Sequence, residues 1–256
     1  MTTSRFLKGA MKGIDLAIAA TEPSEYIYDG DDFMQMDHEP AESSGGYIST
    51  EVSTAVMTQT ALLPGMCVTL ETDGTDLDAL LLTRQQAVGA FDITIDSGRR
   101  LAYEIRLRVN QATETALFVG LCTSGPAVAD LLAINTGILG NFDVIGFHAL
   151  SAAAEVVIDG VTRILGGATQ TGADAMTDTE TDLFNTYGFR FDGYETIDWY
   201  LNNEIVATQT IVAATFPTGQ SLIPMFSIKT GESVVKSMKI DYWTCIQDLL
   251  SSDRPE

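Results

Sequence analysis

Carboxylates are the residues of this chain best placed to do chemistry. It holds 35 Asp and Glu against 14 Lys and Arg, with two His and three Cys. Glycoside hydrolysis needs two carboxyl groups facing one bond, one acting as acid and the other as nucleophile or base. In a strand, residues two apart share a face. Asp92-Ile93-Thr94-Ile95-Asp96 therefore sets two carboxylates on one face with Thr94 between them. Glu195 and Asp198 are three apart, so a strand points them to opposite faces. The plainer reading of both sets is a solvated face.

Hard cations take clustered oxygen ligands. Asp73, Asp76 and Asp78 lie close together in ETDGTDLD, and Asp29, Asp31 and Asp32 form a second acidic group. The first group departs from the EF-hand spacing and lacks its terminal Glu. Turns and solvated loops are the plainer reading of both. The expectation is no cofactor, with calcium at Asp73, Asp76 and Asp78 as the metal alternative. His38 and His148 are too few for an imidazole-rich metal site. Cys67, Cys122 and Cys245 form no CxxC, which disfavours zinc and predicts buried free thiols. Gly45-Gly46 and Gly166-Gly167 lack the strand-to-helix setting of a phosphate loop. Trp199, Tyr200 and Trp243 have the ring faces to stack on sugars, but Trp199 is in phase with Ile197 and Leu201, which predicts core packing.

The elements that would position these groups are strands. YGFRFDGYETIDWYLNNEIVATQTI, residues 187–211, alternates Phe189 and Phe191 against Arg190 and Asp192. It then alternates Ile197, Trp199 and Leu201 against Asp198, Tyr200 and Asn202. That period of two marks half-buried antiparallel strands. Asp192-Gly193, Asn202-Asn203 and Asp159-Gly160 have the residue types of tight hairpin turns. In LAYEIRLRV, Tyr103, Ile105, Leu107 and Val109 oppose Glu104, Arg106 and Arg108. In MKIDYW, Met238, Ile240 and Tyr242 are expected to oppose Lys239, Asp241 and Trp243. Strand patterns recur from Met66 onward, with a helical patch at Ala127–Ile134 and a long surface loop at 166–182. So dense a series with so little helix predicts an all-β sandwich or barrel.

The first 60 residues read differently. Phe6, Leu7, Met11 and Ile14 form a short amphipathic segment, too soon interrupted by Asp15 for a signal peptide. Residues 22–46 are acidic and weakly patterned, with Tyr26, Tyr28 and Phe33 as apolar contacts. Such a run cannot bury enough apolar surface to order itself alone. The expected organisation is an N-terminal arm over 1–60, a β-sandwich over 61–248 and a C-terminal tail over 249–256. Phe6, Leu7, Met11, Ile14, Tyr26, Tyr28 and Phe33 are the expected interface residues. The net charge of −21 disfavours nucleic acid and anionic membrane as partners. No apolar run approaches the ~20 residues of a membrane-spanning helix.

The order YEIRLRV, LFVGLCTSG, DVIGFHA, GFRFDGYETIDWYLN, LIPMFSI and MKIDYWTCIQ resembles the concanavalin-A-like, laminin-G-like jelly roll across residues 65–248. The resemblance implies an antiparallel two-sheet sandwich. Glycosidases of this fold class carry a Glu-x-Asp-x-Glu strand, which this chain lacks, so it is expected not to be an enzyme. The chain also resembles structural proteins of tailed bacteriophages. That resemblance implies a capsid decoration or cement protein on the virion head surface, assembled in the host cytoplasm. Its implied partners are the major capsid protein and sister subunits, with a homo-oligomer, a trimer by preference. A carbohydrate-binding module or tail adhesin is the alternative, and a glycoside hydrolase the third.

Overall fold

Alternation organises the chain into two stacked sheets. The computed structural model describes residues 26–33, 46–52, 54–62, 65–84, 91–110, 115–125, 131–132, 139–150, 157–176 and 183–249. Sixteen strands run through them. They are β1 (Tyr26–Asp31), β2 (Tyr47–Val52), β3 (Val56–Leu62), β4 (Gly65–Glu71), β5 (Ala79–Arg84), β6 (Phe91–Ile93), β7 (Leu101–Val109) and β8 (Thr115–Thr123). They continue with β9 (Val144–Ala149), β10 (Ile158–Arg163), β11 (Gln170–Ala173), β12 (Asn185–Phe191), β13 (Thr196–Leu201), β14 (Glu204–Thr210), β15 (Gln220–Thr230) and β16 (Ser237–Asp248). Sheet A runs β14-β13-β12-β7-β16-β4-β3, with β1 also paired to β16. Sheet B runs β11-β10-β9-β8-β15-β5-β2, with β6 also paired to β15. Among the described residues all the ladders are antiparallel, as the sequence predicts. Among the described residues no helix is long and apolar enough to cross a membrane.

The main core fills the space between the sheets. Tyr103, Ile105, Leu107, Phe189, Phe191, Ile197, Trp199, Met238 and Ile240 are buried there as expected, with Leu201 packed at its margin. The phenyl ring of Phe147 meets the Trp199 indole edge-on at 5.5 Å. Tyr103 stacks on Phe189 at 5.4 Å. A second cluster lies on the outward face of sheet B. There Leu81, Phe118, Val144 and Met225 are covered by Leu131, Leu132 and Leu139. The Lys229 ammonium donates to the Leu132 carbonyl at 3.0 Å, and the Arg163 guanidinium donates to the Leu139 carbonyl at 2.6 Å.

Four expectations are corrected. The first concerns the arm: residues 26–33, 46–52 and 54–62 are part of the sandwich. β1 pairs with β16 from Tyr26↔Asp248 to Asp31↔Trp243, β2 pairs with β5, and β3 with β4. Residues 1–25 lie outside the described residues. The weak apolar pattern of these residues misleads because pairing with β16, β5 and β4 supplies the order that they lack by themselves.

The second concerns Asp159-Gly160, which is no turn but the middle of β10, opposite His148 and Phe147. Gly160 is there because the Trp199 ring lies flat against it. A Cβ would fall 2.6 Å from indole Cδ2. Asn202-Asn203 does turn the chain, with φ of 49° and 74°, and Gly193 turns it with φ of 86°. Third, the predicted loop at 166–182 contains β11, and Ala173 and Met176 reach the core. Fourth, β16 bulges between Ile240 and Tyr242, which oppose Leu107 and Arg106. The extra residue, Asp241, reverses the phase. Trp243 therefore enters the core and Tyr242 turns outward.

Candidate functional site

The outward face of sheet A gathers the charged side chains that the alternation of β7, β12, β13 and β16 excludes from the core. One row runs Thr244–Glu104–Gly188–Tyr200 across β16, β7, β12 and β13. Glu104 is 1% exposed. The Tyr242 hydroxyl donates to its Oε1 at 2.9 Å. Burial pushes the Glu104 carboxyl up to about 7, against the opposing pull of the tyrosine hydrogen bond. Burial also pushes the Tyr242 hydroxyl well up, and the Glu104 charge adds to that shift.

The neighbouring row pairs Tyr242 with Arg106 and Arg106 with Thr186. Arg106 Nη1 forms an ion pair with buried Asp241. The Arg106 and Arg108 guanidinium groups lie over the Phe184 ring at 4.7 and 5.0 Å. On the other side, Arg190 Nη2 holds Asp198 Oδ2 at 3.1 Å, and Thr208 donates to Asp198 Oδ1 at 2.7 Å. Tyr200 is 6% exposed, and burial raises its hydroxyl.

This arrangement places a carboxyl group that changes charge near neutrality inside a band of fixed ion pairs. A buried acid of that kind can donate or accept a hydrogen bond according to pH. General acid catalysis asks more: a second carboxyl across a bound substrate. Asp241, beside Tyr242 in β16, is committed to Arg106, and Glu104 itself is 1% exposed.

Of the residues singled out from sequence, Asp198 and Tyr200 lie on this face and the others lie elsewhere. Asp92 accepts from the Ser221 hydroxyl and faces Arg99 at 3.5 Å. Asp96 sits after β6 with φ of 61°. Asp198 is engaged by Arg190 and Thr208. Among the described strands, none carries three carboxylates on one face.

Asp73, Asp76 and Asp78 occupy the β4–β5 loop. Asp78 is buried and accepts the Asp73 and Ala79 amides at 2.7 and 3.0 Å. Asp73 accepts the Thr75 amide at 2.7 Å and the Thr54 hydroxyl. Hydrogen bonds from Thr54 and from the Thr75 amide hold the Asp73 carboxyl well below its ordinary value, whereas burial raises that of Asp78. Asp76 is exposed. Among the described residues, no group of three or more His, Cys, Asp or Glu is placed to hold a metal ion.

In the second acidic group, Asp29 pairs with Arg84 at 3.3 Å and Asp31 caps the Phe33 amide at 2.7 Å. Phe33 is fully buried, 5.6 Å from the Tyr47 ring, so it belongs to the core and not to an external interface. Tyr28 is 38% exposed. Tyr26 begins β1, and Phe6, Leu7, Met11 and Ile14 lie outside the described residues. Trp199 and Trp243 are fully buried. Cys67, Cys122 and Cys245 are free and buried, as expected.

Sequence reasoning missed the Glu104–Tyr242 pair. The alternation of YEIRLRV puts Glu104 on the correct face, but nothing local reports what covers that face. The bulge that brings Tyr242 to it has no sequence mark of its own.

No known family model matches the chain, and no curated protein matches it. Solved structures do. The carbohydrate recognition domain of Emp47p aligns with 84% of this chain and 93% of its own at 13% identity and a TM-score of 0.54. SCLam, a non-specific endo-β-1,3(4)-glucanase of family GH16, aligns over 89% and 93% at 12% identity and a TM-score of 0.55. A protein of unknown function from Shewanella oneidensis MR-1 aligns over 91% and 90% at 14% identity and a TM-score of 0.52. At such identities the likeness concerns the fold, which is the concanavalin-A-like jelly-roll sandwich.

Proposed function

We propose that this chain is a non-enzymatic structural subunit of a bacteriophage virion, a decoration protein that stabilises the head by bridging capsid subunits. The supporting observation is where its exposed apolar side chains lie. Ile205 and Val206 are on an edge strand, and Leu165, Tyr194, Val212, Val234 and Val235 are on turns and connections. The outward face of sheet A is closed by ion pairs, and that of sheet B by Leu131, Leu132 and Leu139. Protein partners fit such edges and turns, and repetition of modest contacts around a particle gives avidity. A sugar reader of this architecture would instead expose aromatic rings on a sheet face. Here both tryptophans are at 0% exposure.

The test is electron microscopy of the purified particles, with the heat resistance of heads compared with and without this subunit. Density for the sandwich at fixed positions over capsid boundaries, and weaker heads without it, is the expected result. Heads that neither carry the sandwich nor weaken without it would overturn the reading.

The second reading is a carbohydrate-binding module. It draws on the likeness of fold to the Emp47p carbohydrate recognition domain. Saturable binding of the purified chain to a glycan panel, without affinity for heads, would favour it. Hydrolysis of a β-glucan, lost in Asp92→Asn, would favour an enzyme instead.

A further inference from the structure

We infer that the outward face of sheet B holds a small monovalent anion of the halide class, bound between the ammonium of Lys229 and the hydroxyl of Ser227 on β15. The site does not depend on the virion reading.

β15 turns Ser227 and Lys229 to one face, because residues two apart on a strand share it. Register sets Lys229 between Ala79 of β5 and Ala116 of β8, and Ser227 between Leu81 and Phe118 of the same strands. These four neighbours belong to the cluster covered by Leu131, Leu132 and Leu139. Lys229 is 4% exposed and Ser227 0%. The flanking alanines reach no further than Cβ, well short of the length of a lysine side chain.

Lys229 is set apart by its want of a counter-charge. Arg84, Arg99, Arg100, Arg106, Arg190 and Lys236 each pair with a carboxylate, whereas among the described residues Lys229 pairs with none. An ammonium can donate three hydrogen bonds; one is made, to the Leu132 carbonyl at 3.0 Å. Burial alone pushes Lys229 below its ordinary value, with no neighbouring carboxylate pulling it back. Asp78, beside Ala79, is held by the Asp73 and Ala79 amides. In the Ser227 row the nearest acid is Asp159, three strands away beyond Phe118 and His148. The fully buried Ser227 hydroxyl has no hydrogen-bond partner among the described residues. Buried charges and hydroxyls are costly to leave unmatched. About 7 Å of strand separates the two residues, so one acceptor set between their side chains can engage both. It must be negative to match the ammonium, and it must shed its hydration readily beneath leucines. That selects a weakly hydrated halide over fluoride, phosphate or sulfate; water would match the hydroxyl but not the charge. The net charge of −21 opposes an anion at long range, but salt screens that repulsion beyond about 8 Å, while the ammonium acts at contact.

The test is thermal melting of the full chain in sodium fluoride, chloride and bromide at one ionic strength, which holds the screening of the acidic surface constant. Ordinary salt effects favour the strongly hydrated anion, because its exclusion from the surface stabilises the folded state. The site reverses that order. The midpoint should stand roughly 2–4 °C higher in chloride or bromide than in fluoride, and the rise should saturate with concentration. Lys229→Met exchanges the ammonium for an apolar side chain and should abolish the difference; Ser227→Ala should raise the half-saturating concentration at least about fivefold. Circular dichroism shows which variants fold. Crystals of the unaltered chain grown in bromide supply a readout without substitution: an anomalous peak within hydrogen-bond reach of Lys229 Nζ and Ser227 Oγ. Midpoints that fall from fluoride to bromide overturn the proposal. So does a halide-specific rise that folded Lys229→Met retains, or bromide found at the surface as an adventitious ion only.

Discussion

Replacing Glu104 with Gln should make the protein more resistant to alkaline pH without removing its hydrogen bond to Tyr242. The carboxyl rises from an ordinary 4.5 to about 7 because folding takes it out of water. Each pH unit of that rise is worth about 1.4 kcal/mol of preference for the neutral form. Ionising Glu104 in the folded chain therefore costs on the order of 3 kcal/mol. The folded state holds this proton more tightly than the unfolded state. Its contribution to stability is thus complete below 4.5, falls as pH rises toward 7, and is absent above it. Gln keeps a carbonyl oxygen for the Tyr242 hydroxyl but has nothing to ionise. Urea unfolding of both proteins between about pH 5 and pH 8 should show the variant gaining on the unaltered chain by roughly 2–3 kcal/mol across that interval. Burial also raises Asp29, Asp78 and Asp159, and these tilt both profiles alike because the variant retains them. Parallel profiles would refute the reasoning, because they would mean that the outward face of sheet A does not desolvate Glu104.

Three further outcomes follow from packing. Gly160→Ala should cost about 1–3 kcal/mol in denaturant unfolding, because its Cβ meets the Trp199 indole; an unchanged midpoint would mean that the ring has room to move. Phe33→Ala should cost about 3–5 kcal/mol, as for a fully buried aromatic; a loss near zero would return Phe33 to an external contact. The three thiols should resist a thiol reagent at about pH 8 until denaturant is added, since all are buried and desolvation pushes Cys122 up to about 12; rapid native labelling of all three would contradict their burial.

The parts of the fold legible in sequence are those whose side chains alternate without interruption. Tyr103, Ile105 and Leu107, and Phe189, Phe191, Ile197 and Trp199, declare their faces because each strand is buried on one side and carries charge on the other. Asn202-Asn203 is legible because positive φ restricts residue choice. Asp159-Gly160 uses the same alphabet for another purpose: the glycine makes room for the indole of Trp199, which arrives from the opposite sheet. β1 was hidden because its order comes from β16, at the other end of the chain. The candidate site was less legible still. Glu104 is conspicuous only once its exposure is known, and exposure is set by the whole fold.

The bulge in β16 connects fold to site. Were β16 regular through Asp241, strict alternation after Met238 and Ile240 would direct Tyr242 into the core and Trp243 outward. Trp243 would then lose its place against Phe226, 5.8 Å between ring centroids, and the indole hydrogen bond it donates to the Tyr47 hydroxyl at 2.7 Å. Glu104 would lose the Tyr242 hydroxyl, and Arg106 the Asp241 carboxylate. A buried carboxyl and a half-buried guanidinium would be left without these partners, and such groups are costly to leave unmatched. The bulge at Asp241 thus satisfies both sides of sheet A at once: it seats the tryptophan between the sheets and assembles the polar band on the opposite face. The Glu104–Tyr242 pair is a product of that phase change, which is why a reading by strict alternation found the strand and missed the pair.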